Sequence, residues 1–164
     1  HDLAQAQAWL DTLLSPETPM DSIHKRTCWA RRGELALLQG RASLALEIAE
    51  RLIASAPDMS SGKVIPYLWQ LKAQALAATG QPEEASSLLQ VAVQHAQVPA
   101  ARFLLWRLHA SLGHAHGTMG QAAEADAHFS TARLLVDELA DTIRVQALRD
   151  GFLRGAHGLL RSPP

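Results

Sequence analysis

Apolar and polar positions alternate with helical spacing along most of this chain, in amphipathic runs separated by short polar, glycine- or proline-bearing breaks. The pattern predicts helices over about 2–14, 21–39, 41–55, 64–79, 82–97, 99–118, 121–140 and 143–161. A proline-containing link, Ser15 to Met20, follows the first, and a loop rich in Ser, Gly and Asp runs from Ala56 to Lys63. Proline offers an independent check, because a helix interior rejects it at about 3 kcal/mol. Pro16, Pro19, Pro57, Pro66, Pro82, Pro99, Pro163 and Pro164 all fall at the starts, ends or links of these helices.

The runs repeat. Gly40, Gly80 and Gly120 stand 40 residues apart, and five residues after each comes Ala45, Ala85 or Ala125. Seven before each comes Gly33, Ala73 or Gly113, and eleven before comes Trp29, Trp69 or His109. The segment from Gly80 to Ala85, Gly-Gln-Pro-Glu-Glu-Ala, rhymes with Gly-Gln-Ala-Ala-Glu-Ala from Gly120 to Ala125. Each column has a physical reason. The glycine suits a left-handed C-cap between two helices. Pro82 fits the first turn of the next helix, with Glu83 and Glu84 near its positive end. The small residues let two antiparallel helices approach closely, and the tryptophans fill the space beside that contact. The unit is a helix-turn-helix that needs its neighbour to bury its second face.

These columns resemble the tetratricopeptide (TPR) pattern, W-x2-L-G-x2-Y followed by Gly, Ala, Phe, Ala and Pro. Trp29, Gly33, Gly40, Ala45 and Pro57 match it in one repeat; Trp69, Ala73, Gly80, Ala85 and Ala92 in the next; Gly113, Gly120, Ala125, Phe129 and Ala132 in the third. The period is 40 rather than 34, and the tyrosine column reads Ala36, Leu76 and His116. The resemblance implies an all-α, right-handed superhelix of antiparallel helix pairs forming one domain over 1–164. Within it, 1–15 is the second helix of a truncated repeat, 21–56, 64–97 and 99–140 are repeats, and 143–161 is a capping helix. The stretch from Gly120 through Phe129, Leu139-Ala-Asp-Thr-Ile143 and Leu148-Arg-Asp-Gly-Phe-Leu153 to Leu160 resembles the tail of large bacterial signalling proteins. In those, a STAND-type ATPase module precedes a TPR array, and the effector is a LuxR/MalT-like DNA-binding domain or a cyclase. On that resemblance the chain is expected to be part of a longer regulator, which its opening at His1 also suggests.

Composition narrows the function classes. Apolar residues make up 48% of the 164, mostly Ala and Leu, which favours helix and excludes a disordered tail. The formal net charge is -1, with no basic run longer than Ala30-Arg31-Arg32, so direct nucleic-acid binding is not expected. No stretch of about 18 apolar residues suggests a membrane span. The single cysteine, Cys28, has no internal disulfide partner and suits a reducing compartment, the cytoplasm.

Candidate chemistry is sparse. His109, His114, His116 and His128 share one repeat and invite a metal site, but His114 and His116 point to nearly opposite sides of a helix. His109 and His116 occupy the Trp and Tyr columns, so packing is the reading taken, and no metal or cofactor is expected. Cys28 reads as a small buried thiol, and Glu83-Glu84 and Asp137-Glu138 as solvated faces. Trp29 and Trp69 read as core, with Trp106 replacing the tryptophan missing at 109. TPR resemblance places Thr27, Ala30, Glu34, Tyr67, Gln70, Gln74, Arg107, Ala110 and His114 on a concave groove, with Tyr67 and Arg107 as anchors. The expectation is therefore a non-catalytic interaction or regulatory domain that binds a protein, a peptide or a neighbouring domain. A small-molecule sensor using the same groove is the alternative, and a histidine-based metal protein a third.

Overall fold

The computed structural model describes residues 2–56, 65–97 and 102–161. Among them are eight helices: α1 (Leu3–Leu13), α2 (Ile23–Leu38), α3 (Ala42–Ala54), α4 (Pro66–Ala78), α5 (Pro82–His95), α6 (Arg102–Thr118), α7 (Ala122–Asp141) and α8 (Gln146–Arg161). No strand occurs among the described residues. Each helix falls within three residues of its predicted span; Pro57, Pro99, Pro163 and Pro164 and the loop after Ala56 lie outside the described residues.

The glycine columns are helix terminators of one design. Gly40, Gly80 and Gly120 take φ of 72°, 84° and 74°, the left-handed region that a side chain disfavours. At each, two crossed backbone bonds close the helix. Gly40 N–H reaches Leu37 O and Arg41 N–H reaches Ala36 O; Gly80 and Gln81 repeat this on Ala77 and Leu76, and Gly120 and Gln121 on Gly117 and His116. This is the Schellman arrangement, and it satisfies carbonyls that a helix end leaves orphaned. Pro66 and Pro82 sit in the first turns of α4 and α5, where no N–H is needed. Asp2 and Ser22 cap α1 and α2 by accepting from Gln5 N–H and Lys25 N–H.

Packing follows chain order. Each helix packs on its successor, and beyond that α2 packs on α4 and α4 on α6. The first helices of the three pairs thus stand in contact, side by side. Ala45 and Ala85 are fully buried and Ala73 equally so, which lets the backbones close in. Gly33 and Gly113 show why the column must be small. A Cβ on Gly33 would stand 2.9 Å from Leu71 Cδ2, and one on Gly113 would stand 2.7 Å from the Phe129 ring.

Trp29 is buried, donates through Nε1 to Thr18 O at 3.1 Å, and lies under the guanidinium groups of Arg51 and Arg32. It closes the core that joins α1 to α4. Trp69 is partly buried against the α4–α5–α6 core, with its Nε1 enclosed and unbonded. Trp106 instead packs on Val136, Ala156 and Phe152, meeting Phe152 edge-on at 6.2 Å, and so ties α6 to α7 and α8. Cys28 is partly buried beside the first core. No helix among the described residues is long and apolar enough to cross a membrane.

Candidate functional site: a cleft on the faces of α2, α4 and α6

Where α2, α4 and α6 meet, their facing side chains leave a cleft with two neighbouring lobes. The first, about 180 Å³, is lined by Glu34, Gln70, Gln74, Arg107, Ala110 and His114, all expected on the groove. Arg31, Leu37, Leu38, Trp106, Ser111 and Leu159 complete it. The second lobe, about 470 Å³, shares Leu37, Gln74, Ser111 and His114 with the first and continues along Ala73, Ala77, Gly113, Gly117 and Phe129. Its breadth comes from the small-residue columns: alanine and glycine on facing helices leave room that larger side chains would fill. Leu159, from α8, lines the first lobe, and His114 Nε2 meets its carbonyl at 2.9 Å.

Glu34 is the hub of the polar wall. Its Oε2 accepts from Arg31 Nη1 at 2.7 Å and its Oε1 from the Tyr67 hydroxyl at 2.9 Å. The Arg107 guanidinium stands farther off, 3.7 Å from Oε1, and donates no hydrogen bond among the described residues. Burial, then the Glu34 charge, pushes the Tyr67 phenol up to about 12, so it stays a donor at neutral pH. Hydrogen bonding to Glu34 pushes Arg31 up as well. Two guanidinium groups face one carboxylate, which leaves the first lobe net positive. The second lobe has no Asp, Glu, Lys or Arg in its lining.

The floor is amide and hydroxyl. Gln70, buried, donates through Nε2 to Ser111 Oγ at 3.1 Å and to Arg107 O at 3.3 Å. Gln74 Nε2 reaches the same Ser111 Oγ at 3.2 Å. With both amides donating to it, the Ser111 hydroxyl keeps its own proton for another acceptor.

No protein-family model matches this chain, and no curated protein is significantly similar to it.

The structure does not bring every candidate together. Tyr67 stands behind Glu34 and acts on the cleft through it. Thr27 lies outside the lining, one turn into α2, with its hydroxyl donated to Ile23 O at 2.8 Å. Ala30 is buried in the α1–α4 core rather than on the groove surface, because α1 and the Ser15–Met20 link fold over that face of α2. Arg31, Ser111 and Leu159 were not among the candidates. Arg31 was detectable as an acid–base pair with Glu34 at i,i+3. Ser111 and Leu159 carry no such signal, since they enter through helix rotation and through the return of α8.

The histidines divide. His114 belongs to the cleft and meets the Phe129 ring edge-on at 5.0 Å. His109, His128 and His116 form a separate row between α6 and α7, with centroids 5.3 and 5.2 Å apart. His116 is buried, its Nε2 3.3 Å from Ser86 Oγ and its Nδ1 on Gln121. Among the described residues no group of three or more His, Cys, Asp or Glu converges as metal ligands.

Proposed function

We propose that this chain is a TPR-type interaction domain, a superhelical array capped by α8, that binds a segment of a protein partner in the α2–α4–α6 cleft and catalyses nothing. The observation that carries the reading is the Arg107 guanidinium, which donates no hydrogen bond among the described residues, stands 3.7 Å from Glu34 Oε1, and lines a polar lobe that adjoins an uncharged one. The pairing of first helices α2–α4–α6 in series is what an inner face of such an array requires. Glu34 and Tyr67 are tied to each other and to Arg31, which suits a wall that orients Arg107 rather than a proton-transfer pair.

The cleft selects chemistry. A carboxylate side chain would take the Arg107 donors, in the charge-assisted pairing that is worth most where water is partly excluded. A bulky apolar side chain beside it would fill the lobe walled by Ala73, Ala77, Gly113 and Phe129. Gln70, Gln74 and Ser111 would hold the peptide backbone between the two. A partner with an acidic residue next to an aliphatic or aromatic one fits this arrangement. In a bacterial regulator, the role suggested by the C-terminal resemblance, that partner is a signalling protein or a neighbouring domain. A volume suited to one compact ligand favours, as second reading, an inducer-sized molecule of the same anionic and apolar character.

Selection of a random peptide library on the domain separates these readings. The peptide reading expects enriched sequences that pair an acidic with a bulky apolar residue and lose binding to Arg107→Gln and Ala77→Trp. Peptides that bind both variants as well as the parent place the interaction elsewhere and overturn it. No enriched peptide, with a midpoint raised by an anionic metabolite, moves the assignment to the sensor.

A further inference from the structure

The row of imidazoles between α6 and α7 has no part in the cleft. His109 and His128 face each other Nδ1 to Nδ1 at 3.1 Å, with planes tilted by 35°. Two nitrogens at that distance hold one proton between them: one ring donates and the other offers a lone pair. His116 stacks on the far side of His128 at an interplanar angle of 19°, and both its nitrogens are engaged elsewhere, by Ser86 and Gln121. It fixes the His128 ring without competing for Nδ1. His109 and His128 are both only half-buried, so solvent and ions reach them.

We infer that His109 and His128 together form a two-imidazole chelate for a divalent transition-metal ion of the nickel, copper and zinc class. An ion about 2.0–2.1 Å from each Nδ1 would subtend an angle of about 100°, between the square and tetrahedral values. Binding shifts the proton of the donating ring from Nδ1 to Nε2 through solvent, so that both Nδ1 lone pairs face the metal and no net proton is released. Water completes the coordination. Two protein ligands are fewer than a structural zinc site uses, which makes this an exchangeable site rather than a folding site. Because the ligands sit on antiparallel partner helices, the ion would clamp α6 to α7, the pair that also carries Arg107 and the Phe129 wall.

The test is calorimetric titration of the full chain with NiCl2 at neutral pH, alongside His109→Gln, His128→Gln and His24→Gln. The chelate predicts that the parent and His24→Gln bind one ion more than either His109→Gln or His128→Gln, or bind it at least tenfold more tightly. Equal binding by all four proteins, or no saturable binding at millimolar nickel, overturns it. Should either glutamine variant fail to fold, the parent alone decides, through its histidine ¹⁵N spectrum during a zinc titration. Two Nδ1 resonances moving together support the chelate; movement only at other nitrogens, or none, overturns it.

Discussion

The Tyr67 hydroxyl donates to Glu34 Oε1 at 2.9 Å, joining α4 to α2 across 33 residues of sequence. This bond holds the carboxylate in the orientation that leaves Arg107 without a hydrogen-bond partner. Tyr67→Phe should cost about 1 kcal/mol, the usual net value of such a bond, read as a lowered urea midpoint with unchanged slope. A destabilisation near zero would mean that Glu34 is held by Arg31 alone.

Tyr67 is the only tyrosine in the chain, so its ionisation can be followed directly by ultraviolet absorbance. Burial raises it from 10.0 to about 12, with the Glu34 charge adding to the effect. The folded state therefore binds this proton more tightly than the unfolded state. Its stabilising contribution is complete below pH 10 and declines as pH rises toward 12. Titration of the native protein should show a phenol midpoint well above that of the urea-unfolded chain. Coincident midpoints would contradict the buried Glu34–Tyr67 pairing.

The histidine row gives the opposite slope. His109 and His128 lie below the ordinary value of 6.5, through burial first and a neighbouring imidazole second. As pH falls through 6.5 the unfolded chain takes up protons that the folded chain refuses, so stability declines on the acid side and is fully present above. Thermal midpoints measured from neutral to acidic pH should fall, and His128→Gln should fall less steeply than the parent. Parallel curves would count against the contact.

Gly113 and Phe129 make the sharpest packing prediction. A Cβ at 113 would meet the ring at 2.7 Å, so Gly113→Ala should cost about 1–3 kcal/mol by overpacking. Adding Phe129→Leu should recover part of that loss, and the non-additivity in a double-mutant cycle would locate the strain at this pair. Gly120→Ala should also destabilise, by about 1 kcal/mol, for a different reason: nothing crowds it, but its φ is 74°.

The repeat was legible because its determinants are backbone determinants. A left-handed cap needs glycine and a close helix contact needs glycine or alanine, so both leave a mark at fixed spacing whatever surrounds them. Glu34, Gln70, Gln74, Arg107 and His114 line one cleft for a related reason, since helical register places them on a common face. Thr27 and Ala30 lie outside that lining because the cleft begins farther along α2, where α1 and its link no longer cover it. Contacts made at side-chain tips were not legible. The facing of His109 and His128 depends on rotamers across two helices, and the entry of Leu159 depends on how α8 returns, for which no second copy supplies a register.

The first two helices differ from the interior of the fold. Trp9, Leu13 and Ile23 on α1 and α2 are exposed, at 67%, 61% and 72%, as expected if another surface covers them. Weak self-association at high concentration should follow, and Trp9→Ser with Leu13→Ser should reduce it in sedimentation velocity. A strictly monomeric parent at millimolar concentration would contradict this.

In the proposed function, Arg107 and the neighbouring apolar lobe form one binding site. Calorimetric titration of a selected acidic–apolar peptide onto the parent and onto Arg107→Gln tests it most directly. Loss of the charged pair should weaken binding at least tenfold, the equivalent of about 1.5–3 kcal/mol for a hydrogen-bonded charge. Equal affinity for the two proteins would contradict it.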